Sequence, residues 1–229
     1  MTAPVGPHVK VMKVKICGIT NVADARAALL AGADFLGLIF APSPRNVTVS
    51  QACRLIQKFP RFNNWVGVFV NEKAETVAKV AATLGLKYAQ LHGEETPAYC
   101  KKLIILHAQI ADKQAPLNII KALRVRSRHD VLRAKKYRLV FAVLLDAYSR
   151  QGRGGTGEKF NWQLARNARK FYPRIFLSGG LTPANVAMAI KIVRPAVVDV
   201  ASGVELRPGK KSYPALRAFI RFAKNKSEC

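Results

Sequence analysis

A thiol and a carboxyl group each end an apolar stretch, which is where an α/β protein carries its chemistry. Cys17 ends the stretch Val14–Cys17, directly before Gly18, and Asp146 follows the apolar run Val140–Leu145. A thiolate can act as a general base, and a carboxyl group kept neutral can act as a general acid. A cysteine is more often a small buried apolar residue, and a carboxylate at a strand end is as often solvated. The chemistry therefore depends on what surrounds the two groups.

Lys15 is the first neighbour to consider. Side chains alternate along a strand, so Lys15 and Cys17 are predicted to share one face, at the interior or mouth of the sheet. A cation on that face favours the thiolate. We therefore expect Lys15 to lower the pKa of the thiol.

Two glycine-containing turns later in the chain predict a phosphate site. Gly179 and Gly180 follow one apolar stretch, and Ser202 and Gly203 follow the next. Glycines let backbone N–H groups approach an anion, and a short helix that begins at Ser202 would favour negative charge at its start. Each motif is an ordinary turn or cap when it occurs singly. Their occurrence after consecutive late strands predicts a phosphate cradle.

Short apolar stretches alternate with helix-period segments along the chain, and no Pro-, Gly- or Ser-rich linker divides them. The predicted strands are Lys13–Cys17, Phe35–Phe40, Trp65–Phe69, Tyr88–Leu91, Asn118–Arg124, Leu139–Leu145, Arg174–Leu177 and Val197–Val200. The predicted helices are Val22–Ala31, Ser50–Lys58, Ala74–Leu84, Pro97–Leu106, Ser127–Lys136, Trp162–Phe171, Pro183–Val193 and Tyr213–Lys224. Asn21, Ser50 and Thr182 are the expected helix caps.

This alternation predicts an α/β protein with a single-domain (β/α)8 barrel of the TIM type over residues 13–229, after a loose leader over residues 1–12. The first strand is not followed by GxGxxG, which argues against a dinucleotide-binding sheet. In a barrel the active site lies at the carboxyl ends of the strands. Cys17, Asp146 and both glycine turns fall there.

The charge balance is far from that of an average enzyme. The 229 residues include 38 Lys and Arg against 13 Asp and Glu, a formal net charge of +25. Such an excess favours anionic partners, so a barrel that binds nucleic acid or polyanions is one alternative. The basic stretch Arg124–Arg138 carries no zinc finger or aromatic RNA-binding signature, and we favour a solvated basic face over a nucleic-acid partner.

The four cysteines are scattered and form no CxxC pair, so neither a zinc site nor a disulfide framework is indicated. No apolar run reaches the roughly 18 residues of a membrane span, and no secretory signal is recognised. We expect a cytoplasmic protein without a membrane partner.

Seven motifs in fixed order resemble one family. They are KICGIT (Lys15–Thr20), GADFLGLIF (Gly32–Phe40), VGVFVN (Val66–Asn71), QLHGEE (Gln90–Glu95), LLDAYSRQGRGGTGEKFNW (Leu144–Trp162), LSGGLTPANV (Leu177–Val186) and VDVASGVELRPGKK (Val198–Lys211). From about Val14 to about Lys224 the chain resembles the phosphoribosylanthranilate isomerases of tryptophan biosynthesis. The resemblance implies a TIM barrel that uses no metal or organic cofactor. The implied reaction is the Amadori rearrangement of N-(5-phosphoribosyl)anthranilate to 1-(2-carboxyphenylamino)-1-deoxyribulose 5-phosphate.

The resemblance also implies roles for residues of this chain. Asp146 would protonate the ribose ring oxygen as general acid, and Cys17 would take the proton from ribose C2 as general base. Arg45 would bind the anthranilate carboxylate. Asp199 resembles a family aspartate near the substrate, and His92 lies in the family's QLHG motif. Both are candidate substrate-binding residues whose roles stay open, because either one could be structural.

The chain departs from the family pattern at Asn46, where an aromatic residue is frequent, and at Asn161, where an aspartate is usual. Arg150 and Arg153 add two cations to the glycine-rich loop Ala147–Glu158, which is predicted to be a mobile lid. A second enzymatic alternative is another ribulose-phosphate barrel isomerase, which would use paired carboxylates instead of a thiol and a carboxyl. The expected partner is a small anionic sugar phosphate, and both a monomer and a homodimer remain possible assemblies.

Overall fold

The computed structural model describes residues 12–111, 116–146 and 162–224. Within these ranges, eight parallel strands form a closed barrel in chain order, and the last strand pairs with the first. The strands are β1 (Lys13–Cys17), β2 (Phe35–Ile39), β3 (Trp65–Phe69), β4 (Tyr88–Leu91), β5 (Asn118–Arg124), β6 (Ala142–Asp146), β7 (Ile175–Ser178) and β8 (Val197–Val200). The predicted (β/α)8 barrel is confirmed.

Helices surround the barrel. They are α1 (Val22–Ala31), α2 (Val49–Gln57), α3 (Ala74–Leu84), α4 (Pro97–Ile110), α5 (Arg128–Arg133), α6 (Trp162–Ala168), α7 (Val186–Val193) and α8 (Tyr213–Ala223). A short antiparallel hairpin, β9 (Glu205–Arg207) and β10 (Lys210–Lys211), lies between β8 and α8, and the sequence did not predict it. No helix in the described part of the chain is long and apolar enough to cross a bilayer.

Several predicted element ends were wrong for local reasons. β6 begins at Ala142 and not at Leu139, because Leu139 lies in an exposed turn before the strand. The cap of α2 is Thr48, which forms a reciprocal capping box with Gln51, and not Ser50. The turn at Thr182 precedes α7 instead of opening it, since the helix begins at Val186. The expected cap Asn21 does accept a hydrogen bond from the first turn of α1.

The barrel interior divides into two layers. At the amino ends of the strands it is filled by an apolar cluster. The members of this cluster are Phe35, Val66, Ile120, Ala122, Ala142, Leu144, Phe176 and Val197. Toward the carboxyl ends, the inward positions carry Lys15, Gln90 and Asp199, all buried. Buried polar groups require partners, and those partners build the site.

The predicted leader, apart from its last residue, lies outside the described residues. So do the predicted lid with Arg150 and Arg153, and Asn161. Asn46 is described, and its side-chain amide donates to the carbonyl oxygens of Ala41 at 3.1 Å and Ile39 at 3.4 Å.

Candidate active site

The thiol of Cys17 lies at the end of β1, beside a buried ion pair. Lys15 Nζ lies 2.8 Å from Asp199 Oδ1, and the side chains are 0% and 5% exposed. Ser178 donates to the other carboxylate oxygen, Oδ2, at 3.0 Å. Alternation along β1 therefore places Lys15 and Cys17 on the interior face, as predicted. Three strands, β1, β7 and β8, contribute to this cluster.

The ionisation of Cys17 differs from the prediction. Burial raises the pKa of the thiol, and Asp199 adds to the rise, while Lys15 and Lys211 act to lower it. The cation of Lys15 thus acts in the predicted direction but does not outweigh desolvation. Burial acts to lower the pKa of Lys15, yet Asp199 and Cys17 together hold it above its ordinary value. Lys15 thus stays charged beside the thiol.

Two glycines give the thiol its space. A Cβ at Gly37 on β2 would lie 2.8 Å from Cys17 Sγ and 3.2 Å from Lys15 Nζ. Gly18 has a φ of +75°, and a Cβ there would lie 2.7 Å from Arg45 Cδ. Both positions need the absence of a side chain, Gly18 also for its backbone conformation. The Gly18 turn therefore brings the Arg45 side chain across the end of β1.

Asp146 ends β6 and lies opposite a histidine. Its Oδ2 atom is 3.3 Å from His92 Nε2, and the two side chains are 15% and 25% exposed. The other ring nitrogen, Nδ1, lies 2.8 Å from the amide nitrogen of Gln90. The carboxyl group is thus held at the mouth of the barrel by a chain of polar contacts from β4.

The predicted phosphate turns approach each other closely. Gly179 and Gly180 have φ of +90° and +63°, a conformation that favours glycine. A Cβ at Gly203 would lie 1.9 Å from the carbonyl oxygen of Leu181, so that glycine is required for the approach of the two loops. The predicted helix after β8 is a single 3-10 turn over Ser202–Val204. Any phosphate binding here must therefore use loop amides more than a helix dipole.

Arg45 contacts a carboxylate of the protein itself. Its Nε lies 2.9 Å from Glu205 Oε1, and its Nη2 lies 2.6 Å from Oε2. Lys211 Nζ contacts the same carboxylate at 2.9 Å and also donates to the Cys17 carbonyl at 2.6 Å. Burial acts to raise the pKa of Glu205, but the hydrogen bonds from both cations hold it below its ordinary value. The hairpin β9–β10 therefore connects Arg45 to the end of β1.

One cavity of about 370 Å³ brings most of these groups together. The predicted site residues that line it are Cys17, His92, Asp146, Gly179, Gly180, Asp199, Ser202 and Gly203. Arg45 is not among its lining residues in this structure. The thiol and the carboxyl group of this cavity can transfer protons. The backbone amides of the two glycine loops can bind the phosphate of a substrate.

A second, larger cavity of about 780 Å³ lies at the amino ends of β6 and β7. Lys135, Arg138 and Arg174 line it together with Phe141 and Phe171. No carboxyl or thiol group is among its described lining residues.

Four residues that support the site were not predicted from the sequence: Gly37, Gln90, Glu205 and Lys211. Each lies within a motif that the sequence displays, but its partner is remote, for example Arg45 and Glu205, which are 160 positions apart. Gln90 carried one usable signal, because it lies two positions before His92 on the same strand face.

Comparisons with known proteins agree with this geometry. The family model for N-(5'-phosphoribosyl)anthranilate (PRA) isomerase matches residues 14–221. An N-(5'-phosphoribosyl)anthranilate isomerase from Trichlorobacter lovleyi is 48% identical over 214 residues, covering 93% of this chain and 98% of that protein. Its counterpart from Thermotoga neapolitana is 42% identical, covering 93% and 98%.

Solved structures show the same likeness. The phosphoribosyl anthranilate isomerase of Thermotoga maritima has a TM-score of 0.82 and 42% identity, covering 93% of this chain and 99% of that one. A phosphoribosyl anthranilate isomerase in complex with reduced 1-(o-carboxyphenylamino)-1-deoxyribulose 5-phosphate has a TM-score of 0.79 and 40% identity, with the same coverage. The chain described here therefore belongs to the N-(5'-phosphoribosyl)anthranilate isomerase family.

Proposed function

We propose that this protein converts N-(5-phosphoribosyl)anthranilate to 1-(2-carboxyphenylamino)-1-deoxyribulose 5-phosphate in the 370 Å³ cavity. Asp146 is the proposed general acid, and Cys17 is the proposed general base. The observation that carries the proposal is that a thiol and a carboxyl group from different strands line the same cavity as two glycine loops. A related enzyme is known in complex with a reduced form of this product, which supports the same ligand chemistry here.

The reaction begins at the ribose ring. Asp146 donates its proton to the ring oxygen, the bond between C1 and that oxygen breaks, and the nitrogen lone pair forms a C1=N bond. The ring is then open and C2 carries an acidic proton. The thiolate of Cys17 removes this proton, and the electron pair of the C–H bond moves to form an enolamine. The enolamine takes up a proton at C1 and loses the C2 hydroxyl proton, which gives the ketose.

Lys15 supports the base step. Burial raises the pKa of the Cys17 thiol, so the thiolate forms only with help. The ammonium of Lys15 supplies that help, and Asp199 holds the ammonium in place at 2.8 Å. Asp199 is therefore proposed to position Lys15, with no direct part in proton transfer.

Arg45 is proposed to bind the anthranilate carboxylate without leaving Glu205. A guanidinium carries five N–H donors, and Glu205 contacts Nε and Nη2. Nη1 and the second N–H of Nη2 have no acceptor among the described residues. This edge of the guanidinium suits a second carboxylate. Glu205 is thus proposed to hold the Arg45 guanidinium beside the end of β1, next to the cavity that Arg45 does not itself line in this structure. Replacement of Arg45 by methionine should raise KM far more than it lowers kcat.

The phosphate is proposed to bind between the loops at Gly179–Gly180 and Ser202–Gly203, whose backbone N–H groups can approach its oxygens. The described lining of the cavity comes from one chain, so the proposal applies to a monomer or a homodimer acting in the cytoplasm. A solved Thermotoga maritima structure concerns monomers of a dimeric relative. Sedimentation equilibrium distinguishes the two assemblies for this chain.

The experiment that tests the proposal is incubation of the purified protein with freshly generated phosphoribosylanthranilate. Decay of the substrate fluorescence, with appearance of the ketose product by mass spectrometry and carbonyl reduction, supports it. If the substrate decays no faster with the folded protein than without it, the proposal is rejected.

A further inference from the structure

Gln90 is a buried amide at the barrel interior whose role is unassigned. It is 1% exposed, and its amide nitrogen lies 2.8 Å from His92 Nδ1. Its amide oxygen has no hydrogen-bond partner among the described residues. We propose that Gln90 is a positioning residue that keeps the ring proton of His92 on Nε2, facing Asp146. This inference rests on the proposed role of Asp146 as general acid.

The hydrogen-bond chemistry leads from the amide to the carboxyl group. An amide nitrogen can only donate, so the ring nitrogen Nδ1 must accept and therefore carries no proton. A neutral imidazole then has its single N–H at Nε2. That nitrogen lies 3.3 Å from Asp146 Oδ2. Gln90 thus selects the tautomer in which His92 donates to Asp146.

This tautomer suits a general acid. A protonated Asp146 that accepts from His92 at Oδ2 carries its own proton on Oδ1, where it is available to the substrate. With the opposite tautomer, Nε2 would be an acceptor, and the carboxyl proton would be held on Oδ2 in a bond to the ring. After proton transfer, the Nε2–H group also stabilises the new carboxylate. Gln90 therefore acts on catalysis through His92.

The backbone around His92 is fixed by other contacts, so the effect of Gln90 is separable from loop folding. Glu95 accepts from the backbone N–H of Gly93 at 3.0 Å, and Lys121 Nζ contacts the same carboxylate at 2.7 Å. Lys121 also donates to the Gly93 carbonyl at 2.6 Å. Loss of the Gln90 amide should consequently change the ring of His92 and leave its loop in place.

The first test is nitrogen-15 NMR of the full chain near neutral pH, with imidazole resonances identified through ring protons. The chain has four histidines, and the spectrum of His92→Asn identifies the resonances of interest. The expected result is that the neutral form of the ring carries its proton on Nε2. A proton on Nδ1 of the neutral ring would overturn the proposal. This measurement needs no turnover, so its result stands even if the isomerase proposal fails.

The second test is a double-mutant cycle with Gln90→Met, a change of similar volume that removes the donor. We expect kcat to fall about tenfold with little change in KM. A tenfold change corresponds to the free energy of about one hydrogen bond. In the His92→Asn background, Gln90→Met should cause no further loss. The proposal would be overturned if Gln90→Met lowered kcat equally in the unchanged chain and in the His92→Asn variant. It would also be overturned if Gln90→Met left the kcat of the unchanged chain as it is. Thermal melting checks that all variants are folded.

Discussion

Gly37 offers a direct test of how tightly the structure places the thiol. A Cβ at this position would lie 2.8 Å from Cys17 Sγ, 3.1 Å from Cys17 Cα and 3.2 Å from Lys15 Nζ. Heavy atoms in ordinary contact are about 3.5–4.0 Å apart, so Gly37→Ala requires the thiol to move by about 1 Å. Backbone atoms of β1 are among the neighbours, so a change of rotamer cannot relieve the whole clash.

Gly37→Ala is expected to affect stability modestly and the catalytic rate strongly. Overpacking of an interior position costs about 1–3 kcal/mol of unfolding free energy. A displacement of about 1 Å at a reacting group can lower the rate by about 100-fold. We therefore expect Gly37→Ala to fold, with a modest loss of stability and a large loss of kcat.

The assay pairs steady-state kinetics on phosphoribosylanthranilate with urea unfolding. Gly67→Ala on the neighbouring strand β3 is the matched control, because its Cβ would lie 2.8 Å from both Leu86 and Phe69 in the apolar core. This control should lose similar stability and keep its kcat within about twofold, since it does not touch the thiol. A folded Gly37→Ala variant with the kcat of the unchanged protein would show that the position of the thiol does not depend on the space left by Gly37.

Three further predictions follow from the site. Gly203→Ala places a Cβ 1.9 Å from the Leu181 carbonyl oxygen and separates the phosphate loops; KM should rise at least about tenfold, and an unchanged KM in steady-state kinetics would contradict the phosphate assignment. Burial acts to raise the pKa of Glu205, but its two cationic partners hold it below 4.5. The stability it contributes is therefore complete above pH 4.5 and is lost as the pH falls through the lowered value. Urea midpoints measured down that range should fall more steeply than those of Glu205→Gln, and parallel curves would contradict this. Because burial raises the pKa of the Cys17 thiol above 9.0, iodoacetamide should alkylate it slowly at neutral pH and faster above pH 9.0. Lys15→Met should slow alkylation further, and an unchanged rate by mass spectrometry would show that its cation does not act on the thiol.

Much of the barrel could be predicted because a buried parallel strand is a short apolar run between turn residues. β1, β3, β4, β5 and β8 have the predicted ends. β6 was extended wrongly, because the apolar residues before Ala142 belong to a turn, in which Leu139 is exposed while Val140 and Phe141 pack against the core. Periodicity records apolar character, and it does not record whether a residue pairs with the neighbouring strand.

Site residues at the carboxyl ends of strands could be predicted, because a barrel carries its active site there. Contacts that form only when the barrel closes could not. Cys17 and Asp146 could be placed because both end strands, and all strands of a barrel end at one face. The pairing of Arg45 with Glu205 joins segments 160 positions apart, which no local pattern shows. The rise in the pKa of the Cys17 thiol could not be predicted for the same reason, because it comes from a burial that exists only once β8 closes on β1.

The most direct measurement of the central claim compares three proteins on freshly generated phosphoribosylanthranilate: the unchanged chain, Cys17→Ser and Asp146→Asn. We expect rapid loss of substrate fluorescence with the unchanged chain. Both folded variants should be slower by at least about 100-fold, as expected on removal of a general acid or base. Turnover by either variant at the rate of the unchanged chain would contradict the assigned roles.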